Sequence, residues 1–80
     1  MSTMTVIELN GKIYDRRHGG AFDRGDADSY YGRQPDPHYY VGPTSFSERI
    51  TVEQMTPEAI EAYHAGYDYN EHYGDKKNWD

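Results

Sequence analysis

The fold is decided by a stretch that begins at Thr56 and reads TPEAIEAYHAGYDYN. Thr56 is a good N-cap, and the proline after it suits the first helical position, where its missing N–H costs nothing. Ile60, Tyr63 and Tyr67 then recur at helical spacing, which is typical of an amphipathic helix. We therefore predict a helix over about residues 57–70. Small residues give it one thin flank for close packing: Ala59, Ala62, Ala65 and Gly66.

The start of the chain carries a hairpin signal. Two short β-prone runs flank the dipeptide Asn10-Gly11. This dipeptide favours a type I′ turn, which needs a positive φ at both central positions. A two-residue turn would pair Ile7 with Tyr14, and we expect the hairpin over about residues 5–14.

A third β-prone run precedes the helix. Phe46, Ile50 and Val52 lie at a period of two, which predicts a strand over about residues 46–52 that joins the hairpin. The sequence thus predicts a single small α+β domain over residues 1–80. In it, a two- to three-stranded antiparallel sheet is packed by one C-terminal amphipathic helix, and residues 74–80 form a tail.

The middle of the chain, residues 15–45, shows neither helical nor strand periodicity. It contains five glycines and three prolines, which punctuate a chain with turns. We expect a long irregular loop rich in Gly, Tyr and Arg. A loop of this length inside a compact domain is uncommon, so either its aromatic side chains fold it over itself or a partner orders it.

The composition predicts a thin core built from phenolic rings. The chain has eight Ile, Leu and Val residues in total, against nine tyrosines and one tryptophan. A buried tyrosine hides a large ring while its hydroxyl stays bonded. The absence of cysteine excludes a disulfide framework and a thiolate metal site. We expect neither a signal peptide nor a membrane span, since no apolar run approaches the roughly 20 residues that a span needs.

The net charge of −6 is unevenly placed. Residues 1–40 hold five basic and six acidic side chains, whereas residues 41–80 hold three basic and eight acidic ones. Such a field repels phosphate backbones and favours a partner with a basic surface, so we expect no binding of duplex DNA. The predicted helix carries four of these carboxylates on an acidic face: Glu58, Glu61, Asp68 and Glu71. The plainer interpretation of this face is that it is a solvated surface that keeps a Tyr-rich protein soluble.

The middle zone supplies the candidate partner-binding residues. Tyrosine and arginine are enriched at the energetic centres of protein interfaces, and they also bind single-stranded nucleic acid. The candidates are Arg24, Tyr30, Tyr31, Arg33, His38, Tyr39 and Tyr40. Aspartates stand beside these arginines in the sequence, so internal ion pairs are an alternative to both kinds of binding.

Metal-binding and catalytic chemistry are disfavoured by spacing. His64 and His72 lie eight residues apart, too far along a helix to share one ion unaided. A small hydrolase would draw on Asp23, Asp28 and His38, and Asp26, Asp36 and Ser29 are also available. No nucleophile-elbow or phosphate-loop motif accompanies these residues. We therefore predict no catalytic residue, no metal site and no cofactor.

Two segments carry a family resemblance. The string DRGDADSYYGR from Asp23, followed by DPHYY from Asp36, resembles a family of small uncharacterised proteins of tailed bacteriophages. The stretch from Thr56 to Tyr67, with the late Lys77 and Trp79, is similar to the same family. The resemblance covers roughly residues 13–79 and implies a phage accessory protein made in the cytoplasm of an infected bacterium.

These observations lead to one functional hypothesis and two alternatives. We expect a non-catalytic protein that binds and modulates a host protein of the defence, transcription or translation machinery, with the acidic face mimicking nucleic acid. The first alternative is an RNA- or ribosome-binding module that uses the Tyr/Arg loop. The second, less favoured, is a small hydrolase.

Overall fold

The structure, a computed structural model, describes residues 6–42, 47–74 and 76. Within these ranges the chain forms four strands, two α-helices and one 3₁₀ helix. In chain order the elements are β1 (Val6–Leu9), β2 (Lys12–Asp15), α1 (Ala21–Tyr30), β3 (His38–Tyr40), β4 (Arg49–Thr51), the 3₁₀ helix (Val52–Gln54) and α2 (Pro57–Tyr73). The predicted α+β class with a C-terminal helix is confirmed.

The N-terminal hairpin forms in the predicted register. β1 and β2 pair antiparallel, with Ile7 opposite Tyr14. Asn10 and Gly11 have φ values of 53° and 81°, so both central residues of the turn are in the left-handed region as a type I′ turn requires. Thr5, at the edge of the predicted range, lies outside the described residues.

The prediction of an irregular loop over residues 15–45 was wrong, because the segment contains α1 and β3. Gly20 occupies the N-cap position of α1, so no side-chain hydrogen bond caps this helix end. The carboxylate of Asp23 accepts a hydrogen bond from the Gly19 N–H at 2.9 Å, which ties the first turn of the helix to the chain that leads into it. Because α1 is polar and has a glycine at its centre, its sequence contains no apolar stripe at helical spacing that would have predicted a helix.

The C-terminal end of α1 is a Schellman motif, the common glycine-terminated helix end. Gly32 has φ 72°, and its N–H donates to the carbonyl of Ser29 at 3.0 Å. The N–H of Arg33 donates to the carbonyl of Asp28 at 2.8 Å. Both bonds satisfy carbonyls that the helix would otherwise leave unpaired, and they fix the direction in which the chain leaves the helix.

β4 does not join the hairpin, so the expectation that this strand would extend the hairpin sheet was wrong. It pairs antiparallel with β3 in a second two-stranded sheet, with Tyr39 opposite Ile50. The strand is also shorter than predicted. Val52 begins the 3₁₀ helix, because the Gln54 side chain accepts the backbone N–H of Thr51 at 3.2 Å and closes a capping box. Phe46, at the start of the predicted strand, lies outside the described residues.

α2 begins as predicted and runs one turn further. The Oγ1 of Thr56 accepts the N–H of Ala59 at 3.1 Å, which confirms the N-cap. The helix ends at Gly74, whose N–H donates to the carbonyl of Asn70 at 3.0 Å. Of the predicted tail, residues 75 and 77–80 lie outside the described part of the chain.

α1 and α2 meet at two glycines. Both Gly25 of α1 and Gly66 of α2 are buried. A Cβ atom at Gly25 would overlap the carbonyl oxygen of Tyr63, and a Cβ atom at Gly66 would overlap the carbonyl oxygen of Phe22. The two helix backbones are therefore in direct contact, closer than any side chain would allow.

The core around this contact is aromatic. Phe22 and Tyr63 are almost completely buried, and Met55 is also buried. The Phe22 ring lies 5.6 Å from Tyr14 of the hairpin and 5.8 Å from Tyr69 of α2, measured between centroids. Ring-to-ring packing thus connects both helices to the first sheet, as the composition predicted.

We predict that Gly25→Ala and Gly66→Ala each lower the free energy of unfolding by about 3 kcal/mol, because the new methyl group meets rigid backbone. Urea denaturation followed by circular dichroism measures this loss. Gly11→Ala is the matched control, since a Cβ there meets nothing within 4 Å. Its free energy of unfolding should fall by only about 1–2 kcal/mol, which is the cost of placing a Cβ atom on a left-handed backbone. A Gly25→Ala protein as stable as the parent would show that the helices do not touch at this point.

Candidate functional site

A cleft of about 420 Å³ lies between the C-terminal half of α1, the chain that follows it, and the second sheet. We call it the arginine cleft. It is lined by Arg24, Asp28, Arg33, Gln34, Asp36, His38, Tyr40 and Arg49. Four of these are predicted partner-binding residues, and they come from three separate stretches of sequence. The fold therefore builds one site from residues that the sequence presents as scattered.

The floor of the cleft is a buried hydrogen-bond network around Asp28, which is 3% exposed. The hydroxyl of Tyr63 donates to Asp28 Oδ2 at 2.5 Å and accepts the backbone N–H of Asp36 at 2.9 Å. Burial and the hydrogen bond to Asp28 raise the pKa of Tyr63 above its ordinary value. The network ties α1, α2 and the chain leading into β3 to one phenol, which holds the cleft in shape.

His38 is buried at the edge of this network. Its Nδ1 lies 2.7 Å from the carbonyl oxygen of Asp36 and 3.9 Å from Asp28 Oδ2. A carbonyl only accepts, so Nδ1 carries a proton and donates it to this hydrogen bond. The His38 ring also contacts the rings of Tyr40 and Tyr63, at centroid distances of 5.7 and 5.8 Å.

The three arginines of the cleft are held to different degrees. Arg33 Nη1 lies 3.2 Å from Asp28 Oδ1, and Arg49 Nη2 lies 3.0 Å from Asp36 Oδ2. The pair of Arg33 with Asp28 is one of the internal ion pairs that the sequence offered as an alternative to partner binding. Arg24 is more buried, with a side chain that is only 16% exposed, and its Nη1 lies 3.6 Å from Asp23 Oδ2. Its guanidinium also packs 5.9 Å from the centroid of Tyr40.

A second surface begins where α1 ends. We call Tyr30, Tyr31 and Arg33 the aromatic ridge. Both rings are 37% exposed, and they meet edge to face at a centroid distance of 5.0 Å. The guanidinium of Arg33 lies 4.7 Å from the centroid of Tyr31, within cation–π range. The hydroxyl of Tyr67 donates to the Arg33 carbonyl at 2.5 Å, so the ridge is anchored to α2 as well.

Tyr39 lies apart from the other candidates. It alternates with His38 and Tyr40 along β3, so its side chain is on the other face of the strand. It lines a separate shallow pocket with Phe22 and two alanines of α2. Arg49, by contrast, was missed by the sequence prediction. Its position opposite Tyr40 in the strand pairing depends on β3, a strand that the sequence did not indicate.

The acidic face of α2 is exposed, but two of its four carboxylates are paired. Glu61 accepts from the Lys12 ammonium and, at 3.0 Å, from the Tyr14 hydroxyl. Glu71 accepts from Lys76 and, at 2.6 Å, from Ser29 Oγ. The lysine hydrogen bonds lower the pKa of both carboxyls.

The remaining carboxylates of the acidic face, Glu58 and Asp68, are exposed. Asp68 lines a groove of about 440 Å³ between the hairpin and α2, and Lys12 and Glu61 lie in the same groove. The acidic face is therefore partly neutralised where it meets the hairpin.

The chemistry of the cleft centres on charge and hydrogen bonding. Asp28 and His38 lie side by side, but the cleft lining contains no Ser, Thr or Cys that could act as a nucleophile. Asp23, the third residue considered for a hydrolase, is not part of the lining. Among residues 6–42, 47–74 and 76, no three His, Asp or Glu side chains are grouped so that they could hold a metal ion.

Neither a protein-family model, nor a curated protein, nor a solved structure matches this chain. The helices of the described ranges are all too short or too polar to cross a membrane.

We predict that Tyr63→Phe lowers the free energy of unfolding by about 2 kcal/mol, because it keeps the ring but leaves Asp28 and the Asp36 N–H without their partner. Chemical denaturation at neutral pH measures the change. Tyr73→Phe is the control, since Tyr73 is 77% exposed and should have almost no effect. Equal stability of the two variants would contradict the network.

We also predict that Tyr63 makes the free energy of unfolding depend on pH in the alkaline range. Its pKa is higher in the folded than in the unfolded protein, so the folded state holds the proton more tightly. This contribution is complete below pH about 10, the pKa of an unfolded tyrosine, and is lost as the pH rises above it. The free energy of unfolding measured between pH 9 and about 11 should therefore fall less steeply in Tyr63→Phe than in Tyr73→Phe. Parallel slopes would show that Tyr63 is not buried as the structure has it.

Proposed function

We propose that this chain is a non-catalytic binding protein that docks onto another protein through the aromatic ridge. The proposal rests on one observation: Tyr30 and Tyr31 are left at the surface and yet held in a fixed arrangement. A chain with so few aliphatic residues gains stability by burying rings. Two adjacent rings that stay exposed are thus available to a partner.

The ridge is arranged for binding at low entropic cost. Tyrosine and arginine dominate the energy of protein interfaces, and each loses rotamer freedom when a partner immobilises it. Here the edge-to-face ring contact, the cation–π contact of Arg33 and the Schellman motif restrict these side chains beforehand. Prior ordering of this kind increases affinity without adding contacts.

The charge of the chain indicates the kind of partner. A net charge of −6 accelerates encounter with a basic surface and slows encounter with a polyanion. Two of the four carboxylates on the acidic face are paired to lysines, so we assign this face to steering rather than to imitation of a phosphate row. The ridge provides the anchors, and the net charge selects a basic partner.

The sequence resemblance supplies the biological setting of the proposal. A small protein that resembles a phage family would act in the cytoplasm of the infected host, and its partner would be a host protein. Defence complexes, RNA polymerase and the ribosome all present basic surfaces that normally hold nucleic acid. The proposal is therefore that the chain modulates one of these assemblies by binding its protein component.

The test begins with affinity capture from a lysate of the host bacterium, with and without nuclease treatment. We expect the same protein to be captured in both, and the purified protein to bind directly in calorimetry. If every captured protein disappears after nuclease treatment, the chain contacts RNA instead. That result would support the RNA- or ribosome-binding alternative and end the first proposal.

We predict that the double variant Tyr30→Ser/Tyr31→Ser weakens binding to the captured protein at least about hundredfold, because two ring anchors of about 2 kcal/mol each are lost. Calorimetry measures the affinity, and circular dichroism confirms that the variant is folded. Tyr73→Ser is the matched control, as it removes an exposed tyrosine outside the ridge. Equal binding by the two variants would show that the ridge is not the docking surface.

A further inference from the structure

Arg24 has hydrogen-bond donors that the protein does not use. Its Nε is buried and is the single such atom, among the described residues, without a hydrogen-bond partner. Its Nη1 lies 3.6 Å from Asp23 Oδ2, which is too long for a hydrogen bond. An unsatisfied buried donor is costly, and more so when it is charged. The guanidinium of Arg24 is therefore incompletely satisfied within the described residues, and Arg24 is one of the residues that line the arginine cleft.

Two further guanidinium groups reach the same cleft. Arg33 contacts Asp28 through Nη1 and Arg49 contacts Asp36 through Nη2. A guanidinium carries five N–H donors, so each pair leaves the other terminal nitrogen for a ligand. In the described part of the chain, no hydrogen bond is made by either of these second nitrogens. The arginine cleft therefore offers donors from three directions.

The local charge of the arginine cleft is opposite to that of the whole protein. Its lining contains three arginines and two aspartates, which gives it a net charge of +1 with His38 neutral. The chain as a whole carries −6. A volume of about 420 Å³ is within the range of small-ligand sites. Charge, donor supply and size together fit one small anion rather than a polymer.

We propose that the arginine cleft binds a single oxyanion of the phosphate or carboxylate type, held by guanidinium N–H groups of Arg24, Arg33 and Arg49. Two N–H groups of a guanidinium match the spacing of two oxygens on such a group. Arg33 and Arg49 close over the anion from the more exposed side. The proposal does not depend on a protein partner, since the ridge tyrosines are not part of the cleft lining.

The test follows the arginine Nε–Hε signals by nuclear magnetic resonance while sodium phosphate replaces sodium chloride at constant ionic strength. We expect the Arg24 signal to shift and to saturate, and the melting temperature to rise in parallel. A second titration with sodium acetate identifies the source. Saturation by phosphate alone assigns a phosphate group, and saturation at similar concentrations of acetate assigns a carboxylate. A shift that stays linear with either anion would overturn the proposal.

Variants separate the cleft from general charge effects. Arg49→Ala should weaken phosphate binding about tenfold, because one charge-assisted hydrogen bond is lost at an exposed position that the fold does not need. Lys12→Ala makes the same charge change outside the cleft and should leave the affinity unchanged. Equal weakening by both would mean that only net charge matters, which contradicts a built site. The Tyr30→Ser/Tyr31→Ser protein should still bind phosphate, so failure of the docking proposal and failure of this one are distinguishable.

Discussion

The structure depends on the direct backbone contact between α1 and α2 at Gly25 and Gly66. Because neither residue has a side chain, the helices approach until the carbonyl oxygens of Tyr63 and Phe22 occupy the space of the missing Cβ atoms. This approach brings the polar end of α1 against α2. Asp28 then reaches the Tyr63 hydroxyl, and Ser29 accepts from the Asn70 side-chain amide at 2.9 Å. Without the glycine contact, these groups would be buried too far apart to bond, and the floor of the arginine cleft would not form.

Tyrosine does in this protein what aliphatic residues do in most small domains. The ring of Tyr63 is fully buried in the core, and its hydroxyl bonds both Asp28 and the backbone N–H of Asp36. The hydroxyl of Tyr67 bonds the Arg33 carbonyl. This arrangement has a structural consequence. A leucine core is non-directional, whereas a phenol must meet its partner at a defined distance and angle, so the tyrosines fix the relative position of the elements. A thin core can therefore still specify one geometry for the surfaces that it supports.

The sequence predicted those elements whose signals are local. The Asn10-Gly11 turn and the Thr56 cap each depend on residues within four positions, and both are confirmed. α1 was missed because its buried positions, at helical spacing from Phe22, are taken by glycine, aspartate and serine. An analysis of hydrophobic periodicity does not detect such residues. They can be buried only because α2 supplies their packing and hydrogen-bond partners. Gly32 was the one local clue, since a glycine followed by a polar residue often ends a helix. The sequence did not predict the arginine cleft either. Arg49 joins the cleft only through the pairing of β3 with β4, and no local sequence signal indicated that pairing.

The same hydrogen-bond network forms the floor of the arginine cleft and connects the buried parts of the protein. A substitution in this network therefore affects both the cleft and the stability of the fold. Asp28 supports Arg33 on the surface and Tyr63 in the interior, so its replacement would alter binding and stability together. Arg49 and the ridge tyrosines carry no such double role. Arg49 pairs with the exposed Asp36, an ion pair of small energetic value, and the tyrosines contact each other and Arg33. Binding properties can therefore vary at Arg49, or at the ridge tyrosines, while the interior network stays constant. In a chain of 80 residues with a thin core, that separation would let the proposed binding surfaces change without unfolding the structure beneath them.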